Sequence, residues 1–313
     1  MRILVTGGAG FIGSNIVDEY IAAGHEVAVL DSLWENGGGS LSNINVQATF
    51  YHADITSQEE VTKIFREVKP QVINHHAAQH SVAISTQDPN LDAQVNILGL
   101  LNVLKSAVDV KARKLIFASS GATYGAPESM PIYEGTMQLP ESPYGMTKMI
   151  GEHYIRYWRL AYGLAYTIFR YGNVYGPRQD PSGEAGVIAI FAQHFLRQEG
   201  VRIDWDGEQQ KDYVYVKDVA RANLKVLNGG DNDVFCIGTG RGVTVNEIYE
   251  ALSRVVGWTV PITRAPKRPG DIYKAYFDPT KAERVLQWRS AVAFEEGVKA
   301  TVSFLREKVQ VRG

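Results

Sequence analysis

The sequence predicts an α/β protein, a doubly wound parallel sheet followed by a smaller C-terminal α/β domain. Three observations predict it. Through the first half, short β-branched runs alternate with longer segments whose apolar residues recur at helical period. Those runs are apolar without alternation, as strands buried on both faces of a parallel sheet must be. A glycine cluster lies between the first run and the first helical segment.

In chain order, Ile3–Thr6 is the first strand and Ile12–Ala23 the first helix. Strand Val27–Leu30, helix Glu59–Val68 and strand Val72–Asn74 follow, then helix Ala93–Val108, strand Leu115–Ser119, helix Tyr144–Tyr162 and strand Thr167–Arg170. After Tyr171 the pattern changes. Pro177, Pro181, Gly183 and Gly186 mark a loop, and helices recur at Val187–Gln198, Val216–Asn228, Val245–Val256 and Phe294–Lys308, with short strands between them. The division expected is 1–172 for the first domain and 173–313 for the second. Segments within 211–240, such as Val234–Ile237, are expected to return to the first sheet.

Composition excludes several classes. The 313 residues carry 32 Lys and Arg against 34 Asp and Glu, a formal charge of −2. Neither nucleic acid nor an anionic membrane is the partner such a balance favours. The single cysteine, Cys236, forms no intrachain disulfide and lies in an apolar run, which reads as a small buried filler in a cytoplasmic protein. His75 and His76 are adjacent rather than three or four apart, so no metal site is expected. No apolar run approaches the ~20 residues a bilayer requires.

Gly7-Gly8-Ala9-Gly10-Phe11-Ile12-Gly13 sits where a Rossmann fold binds a dinucleotide. Gly7 permits the tight turn, Gly10 lets the backbone approach a pyrophosphate, and Gly13 lets helix and strand pack closely. The helix N-terminus then offers free N–H groups and a partial positive charge to the phosphates. Asp31 closes the second strand, 18 positions after Gly13 (31 − 13), where an acid can bind ribose hydroxyls. No Arg or Lys follows through Gly39, which favours NAD over NADP. Asp54, with Ile55, follows the next apolar run; its carboxylate suits an adenine amino group or a helix cap.

Tyr144 and Lys148, four apart at the start of a helix, share one face. Ionising a free tyrosine at neutral pH costs about 4 kcal/mol, which a neighbouring ammonium and a positive nicotinamide ring can lower. Such a tyrosine can take a proton from a hydroxyl as hydride leaves the same carbon. Ser120, at a strand end, can hydrogen-bond the reacting oxygen.

Together these residues resemble the extended short-chain dehydrogenase/reductase superfamily, and within it the nucleotide-sugar 4-epimerases. The resemblance spans nearly the whole chain. It adds His76-Ala77-Ala78-Gln79, Asn96, Ser119-Ser120-Gly121-Ala122-Thr123-Tyr124-Gly125 and Ser142-Pro143-Tyr144-Gly145-Met146-Thr147-Lys148. Later come Arg170 to Arg178, Lys211-Asp212-Tyr213-Val214-Tyr215-Val216 and Arg268-Pro269-Gly270-Asp271. The resemblance implies Tyr144 as base, Lys148 as its partner and nicotinamide-ribose ligand, and Ser120 as the residue orienting the hydroxyl. It implies Phe11, Ile12, Ala77, Ala78 and Asn96 at the cofactor. Asn173, Lys211 and Arg268 are implied at a UDP diphosphate, and Asp271 near the nucleotide ribose.

Two departures stand out. The family usually has arginine at Lys211 and glycine at Trp205; lysine keeps the charge but lacks the two-pronged fork. Gly121-Ala122-Thr123 holds no acid, which disfavours loss of water or carbon dioxide. The implied reaction is inversion at C4 of a UDP-hexose through a 4-keto sugar, with UDP-glucose and UDP-galactose first. Ala275 falls where the family gates the C2 substituent, so UDP-GlcNAc is a second candidate, an ordinary small strand residue being the other reading. Other nucleotide-sugar oxidoreductases, such as a UDP-glucuronate 4-epimerase, would keep the same set. From another class, an NAD-sensing binding protein would dispense with Tyr144 or Lys148. A homodimer through 93–108 and 144–162 is implied by the resemblance.

Overall fold

A computed structural model describes residues 1–182, 186–267 and 272–311. β1 (Arg2–Thr6) leads into α1 (Phe11–Ala22), and β2 (Glu26–Asp31) into a short edge strand, β3 (Thr49–His52). α2 (Gln58–Val68) and β4 (Val72–His75) follow, then α3 (Val82–Gln87) and α4 (Pro89–Ala93). A wide π-helical turn over Gln94–Gly99 joins α4 to α5 (Leu100–Asp109). β5 (Lys114–Ser120), α6 (Pro143–Tyr162) and β6 (Ala165–Tyr171) come next. Beyond them are β7 (Asn173–Tyr175), α7 (Val187–Leu196), β8 (Val201–Asp204), β9 (Gln210–Tyr215), α8 (Val216–Lys225) and β10 (Asp233–Ile237). β11 (Gly242–Thr244), α9 (Val245–Val256), β12 (Ile262–Ala265), β13 (Lys274–Ala275), α10 (Thr280–Leu286) and α11 (Phe294–Val311) complete the chain.

Seven strands form one parallel sheet in the order β10-β6-β5-β4-β1-β2-β3. Alternate residues of each strand feed opposite faces. Ile3 and Val5 pack with Ile16, Val17 and Tyr20 of α1 and with Val219, Ala220 and Ala222 of α8. Leu4 packs on the other face with Val61 and Phe65 of α2, Leu100 and Leu104 of α5, and Ile155 of α6. The sheet is therefore wound on both sides, and strand order reverses between β1 and β4, where open α/β sheets bind ligands.

At Gly172 the chain passes directly from β6 to β7 and a second sheet, in which β7, β11 and β13 all pair with β9. A Cβ on Gly172 would lie 3.0 Å from the carbonyl oxygen of Asp212. Glycine there keeps the crossing between the two sheets close without crowding β9. A separate pair, β8 and β12, lies beside them, and α7, α9 and α11 enclose a core of Phe191, Phe195, Ile248, Leu252, Val298 and Val302.

Several expectations need correction. The helix expected over Ala93–Val108 begins earlier and is not one helix: α4 opens at Pro89, capped by Asp88, and the π turn separates it from α5. Helical period continues through the turn, so the apolar pattern conceals it. Edge strand β3 and helices α3 and α10 are additional; each is too short for a periodic signal. Val234–Ile237 does join the main sheet, whereas β9 belongs to the second. Cys236 is buried. Among the described residues no helix is long and apolar enough to cross a membrane.

Candidate active site

At the strand-order reversal, above the carboxyl ends of the main-sheet strands, lies a cavity of about 910 Å³. Gly7, Gly10, Phe11, Ile12 and Gly13 wall one end. Gly7 turns the chain at φ +72°, and a Cβ there would lie 2.5 Å from the Ala77 nitrogen. One on Gly13 would lie 2.2 Å from the Gly7 carbonyl oxygen, so α1 can press onto the turn only without it. α1 starts at Phe11, with Gly10 at its cap position, no side-chain cap and no acid in its first turn. Its first N–H groups therefore present an unneutralised positive end to the cavity. A dinucleotide's pyrophosphate fits this cradle.

Asp31, Asp54, Ile55, Ala77 and Ala78 continue the wall. Asp31 is held by the backbone, its Oδ2 accepting from Ala9 N and its Oδ1 from Leu33 N, both at 2.9 Å. Each oxygen keeps a lone pair for a ribose hydroxyl. The capping role weighed for Asp54 goes to Ser57, whose hydroxyl accepts from Glu60 N; Asp54 Oδ1 instead accepts from Thr56 N at 2.8 Å. Ile55 rests on Gly99, where a Cβ would come within 2.7 Å of its Cδ1.

Ser120, Tyr144, Lys148 and Asn173 meet at the other end. Local sequence puts them there. Ser142 caps α6 by accepting from Gly145 N, Pro143 takes the first helical position, and Gly145 brings the helix onto the 121–124 turn, its absent Cβ only 2.5 Å from Ala122 O. The Ser120 hydroxyl, which accepts from Ala122 N at 3.1 Å, faces the Tyr144 phenol. Burial pushes Tyr144 up to about 12, and Ser120 pulls it the other way. Lys148 is buried, its Nζ donating to Ala118 O at 2.9 Å and standing 5.8 Å from the Tyr144 ring centre. Burial pushes Lys148 down to about 8, opposed by the charge of Asp92.

Behind this end, Arg170 Nε and Nη2 clasp the two oxygens of Glu152 at 2.9 and 2.6 Å, and Ser119 Oγ donates to the same carboxylate at 2.6 Å. The paired charges lie inside the protein, both residues being buried, and fix the strand end beside Ser120. His75 and His76 are neutral there: burial, then Lys148, pushes both down to about 3. His75 bonds Thr6 Oγ1 at 2.7 Å, and His76 bonds the Tyr171 hydroxyl at 3.1 Å.

Other expected residues do not reach the cavity wall. Asn96 is buried in a network with Gln79, Asp92 and Thr147. Thr123 donates its hydroxyl to Ser120 O at 2.9 Å. Lys211 lies on β9 opposite Val243, and Ala275 pairs beside it while packing on the Tyr124, Ile132 and Phe277 cluster. Arg268 and Asp271 lie outside the described residues. Trp205 has φ +60°, a conformation natural to glycine; its ring packs against Tyr273, centres 4.8 Å apart, with Lys267 Nζ 4.3 Å away. Sequence reasoning gave no role to His76, Tyr171 and Tyr213, each inside a motif that carries the resemblance, nor to the 34–39 loop, all of which the cavity gathers. The loop's own signal is the glycine run after Asp31.

The profile of the family described as GDP-mannose 4,6 dehydratase matches residues 4–301. A UDP-glucose 4-epimerase of Mycolicibacterium smegmatis is 40% identical over 314 residues, covering 99% of this chain and 100% of that one. Among solved structures, the Thermotoga maritima UDP-glucose 4-epimerase with UDP-glucose is 46% identical, with a TM-score of 0.94 over 99% of this chain and 100% of that one. The Thermus thermophilus enzyme in complex with NAD is 43% identical, with a TM-score of 0.92 over 98% and 99%. Glycine cradle, Tyr–Lys helix, fold and whole-length similarity agree: the chain belongs to the GDP-mannose 4,6 dehydratase family of extended short-chain dehydrogenase/reductases.

Proposed function

We propose that the chain is an NAD-dependent 4-epimerase of UDP-hexoses, interconverting UDP-glucose and UDP-galactose. One observation carries the reading: a continuous cavity runs from the uncapped end of α1 to the Ser120, Tyr144 and Lys148 side chains. A cofactor and a sugar can thus share one enclosure. Similarity over the whole chain to enzymes of that name supports it.

On this reading the Gly7–Gly13 turn holds the pyrophosphate, Asp31 the adenosine ribose, Asp54 and Ile55 the adenine, and Lys148 the nicotinamide ribose. When bound, NAD supplies the site that takes and returns the C4 hydride. Tyr144 removes the proton from the C4 hydroxyl, Ser120 fixes that oxygen, and the Lys148 ammonium favours the phenolate. The proton returns from Tyr144 once the sugar has turned over, so no net oxidation results. Affinity then belongs in the UDP moiety, with Asn173, Arg268 and Asp271 as its ligands and Lys211, outside the cavity wall, adding its charge, because a tightly held sugar could not rotate. Residues 1–172 carry the cofactor and 173–313 the nucleotide sugar, with α8 and β10 serving the first part. The enzyme acts in the cytoplasm as a homodimer joined through 93–108 and 144–162; exposed Leu98, Tyr157, Leu160 and Tyr162 support the pairing.

The test is to incubate purified protein separately with UDP-glucose, UDP-GlcNAc and UDP-glucuronate, following C4 inversion by proton NMR with and without added NAD. Inversion of UDP-glucose is expected. Inversion of UDP-GlcNAc as well would show that Ala275 leaves room at C2. No inversion of any of the three, with NAD bound, would sink the epimerase reading.

A further inference from the structure

Asp92 lies outside the cavity wall, yet it is fully buried and both of its carboxylate oxygens are hydrogen-bonded. Oδ1 accepts from Gln79 Nε2 and from Asn96 Nδ2, both at 2.9 Å, and Oδ2 accepts from Thr147 Oγ1 at 2.8 Å. The network closes on itself: Gln79 N donates to Asn96 Oδ1 at 3.0 Å, and Gln79 Oε1 accepts from Ser81 N. Gln79 and Ser81 belong to the loop that walls the cavity with Ala77, Ala78 and His80. Thr147 stands between Tyr144 and Lys148 on α6. The carboxylate therefore ties the loop to the helix carrying the chemical set.

We propose that Asp92 is a positioning residue for the reaction, clamping the cofactor loop to α6 and setting by its charge the pH range over which Tyr144 and Lys148 work. The inference rests on the function proposed above.

Clamping alone does not require a charge. A neutral amide could accept from Gln79 and Asn96, and an isolated buried carboxylate is costly. What the charge faces decides the matter. From α6 it faces Lys148, a buried ammonium, and Tyr144. From the 79–96 segment it meets the amides of Gln79 and Asn96. His75 and His76, at the end of β4, are influenced by Lys148 and stay neutral. Burial raises Asp92's own carboxyl, while Thr147, Gln79, Lys148 and Asn96 work against that rise. The negative charge favours the Lys148 ammonium and opposes the Tyr144 phenolate. Both protons are therefore held to higher pH than burial beside a neutral group would allow.

Asp92→Asn removes the charge and can keep the clamp. Thr147 can turn its hydroxyl to Tyr144 O, 3.1 Å away, and accept from the new amide. Measured on the full chain with NAD, both limbs of the kcat/KM profile for C4 inversion are expected to move to lower pH. NAD binding should be retained, and Asp92→Glu should restore the wild-type limbs. A lower rate with unmoved limbs would mean packing only and would overturn the proposal. If Asp92→Asn does not fold, Asp92→Ser takes its place; failure of both neutral variants would make Asp92 a folding element and overturn it too. Should the wild type invert no sugar, the function reading fails by itself. The charge effect is then read from phenolate ultraviolet absorbance, as the difference between each protein and its Tyr144→Phe counterpart. An acid shift of that titration in Asp92→Asn supports the proposal, and none refutes it.

Discussion

Tyr144 is disfavoured as a base by its own burial, which holds the phenol proton on, and the Ser120 hydroxyl is the contact that relieves this. Removing the phenolic oxygen should therefore cost the reaction and little else. Tyr144→Phe is expected to lower turnover by about 10²–10⁴-fold while NAD still binds, measured as inversion rate beside a cofactor titration. Lys148 gives a second prediction. An ammonium is charged below its pKa, and burial brings that value down to about 8. Turnover is therefore expected to fall as pH rises through that region and to fall on the acid side as Tyr144 holds its proton. A rate unchanged well above pH 8 would exclude a role for the Lys148 charge. The four-residue spacing of this pair and the Gly7–Gly13 cradle were legible because each is a local pattern. His76, Tyr171 and Tyr213 stood in the motifs of the resemblance but their place at the site was not legible, because segments far apart in the chain bring them to the cavity and no spacing encodes that approach.

The arginine–glutamate pair between β6 and α6 shows how elements, rather than residues, hold the site. Glu152 is fully buried and takes two donors from Arg170 and one from Ser119. Glu152→Ala would strand the Arg170 guanidinium inside the protein. A loss of about 3–5 kcal/mol is expected, read as a lowered urea midpoint with turnover falling in parallel as the end of β5 loosens. A midpoint near wild type would mean that water reaches Arg170. Elements were legible where apolar period is long and uninterrupted, as in α6 and α9. The 89–109 region was misread because a π turn continues the apolar rows while widening the helix. Asp88 followed by Pro89 is a start signal present in the sequence, and it marks the true beginning.

At the scale of the molecule, one cavity draws its walls from both sheets, so a ligand that fills it binds only the assembled fold. NAD alone is expected to raise the thermal midpoint, with a stabilisation of about 2.7 kcal/mol at a hundredfold excess over Kd. Differential scanning calorimetry across a cofactor series checks this, and a midpoint indifferent to NAD would contradict the cradle. The doubly wound class was legible from alternation alone. The way the chain weaves between sheets was only partly so, because a short buried strand such as β10 reads alike wherever it pairs.

That weaving bears on how the protein is made. β10 is the neighbour of β6, yet β7, α7, β8, β9 and α8 are synthesised between them. A ribosome that has released β6 leaves it as a bare edge, with Phe169 awaiting Phe235. Translation at roughly 5–20 residues per second keeps that edge open for seconds. Nascent chains stalled before residue 233 should be chaperone clients, and those stalled beyond 237, with β10 clear of the exit tunnel, should not.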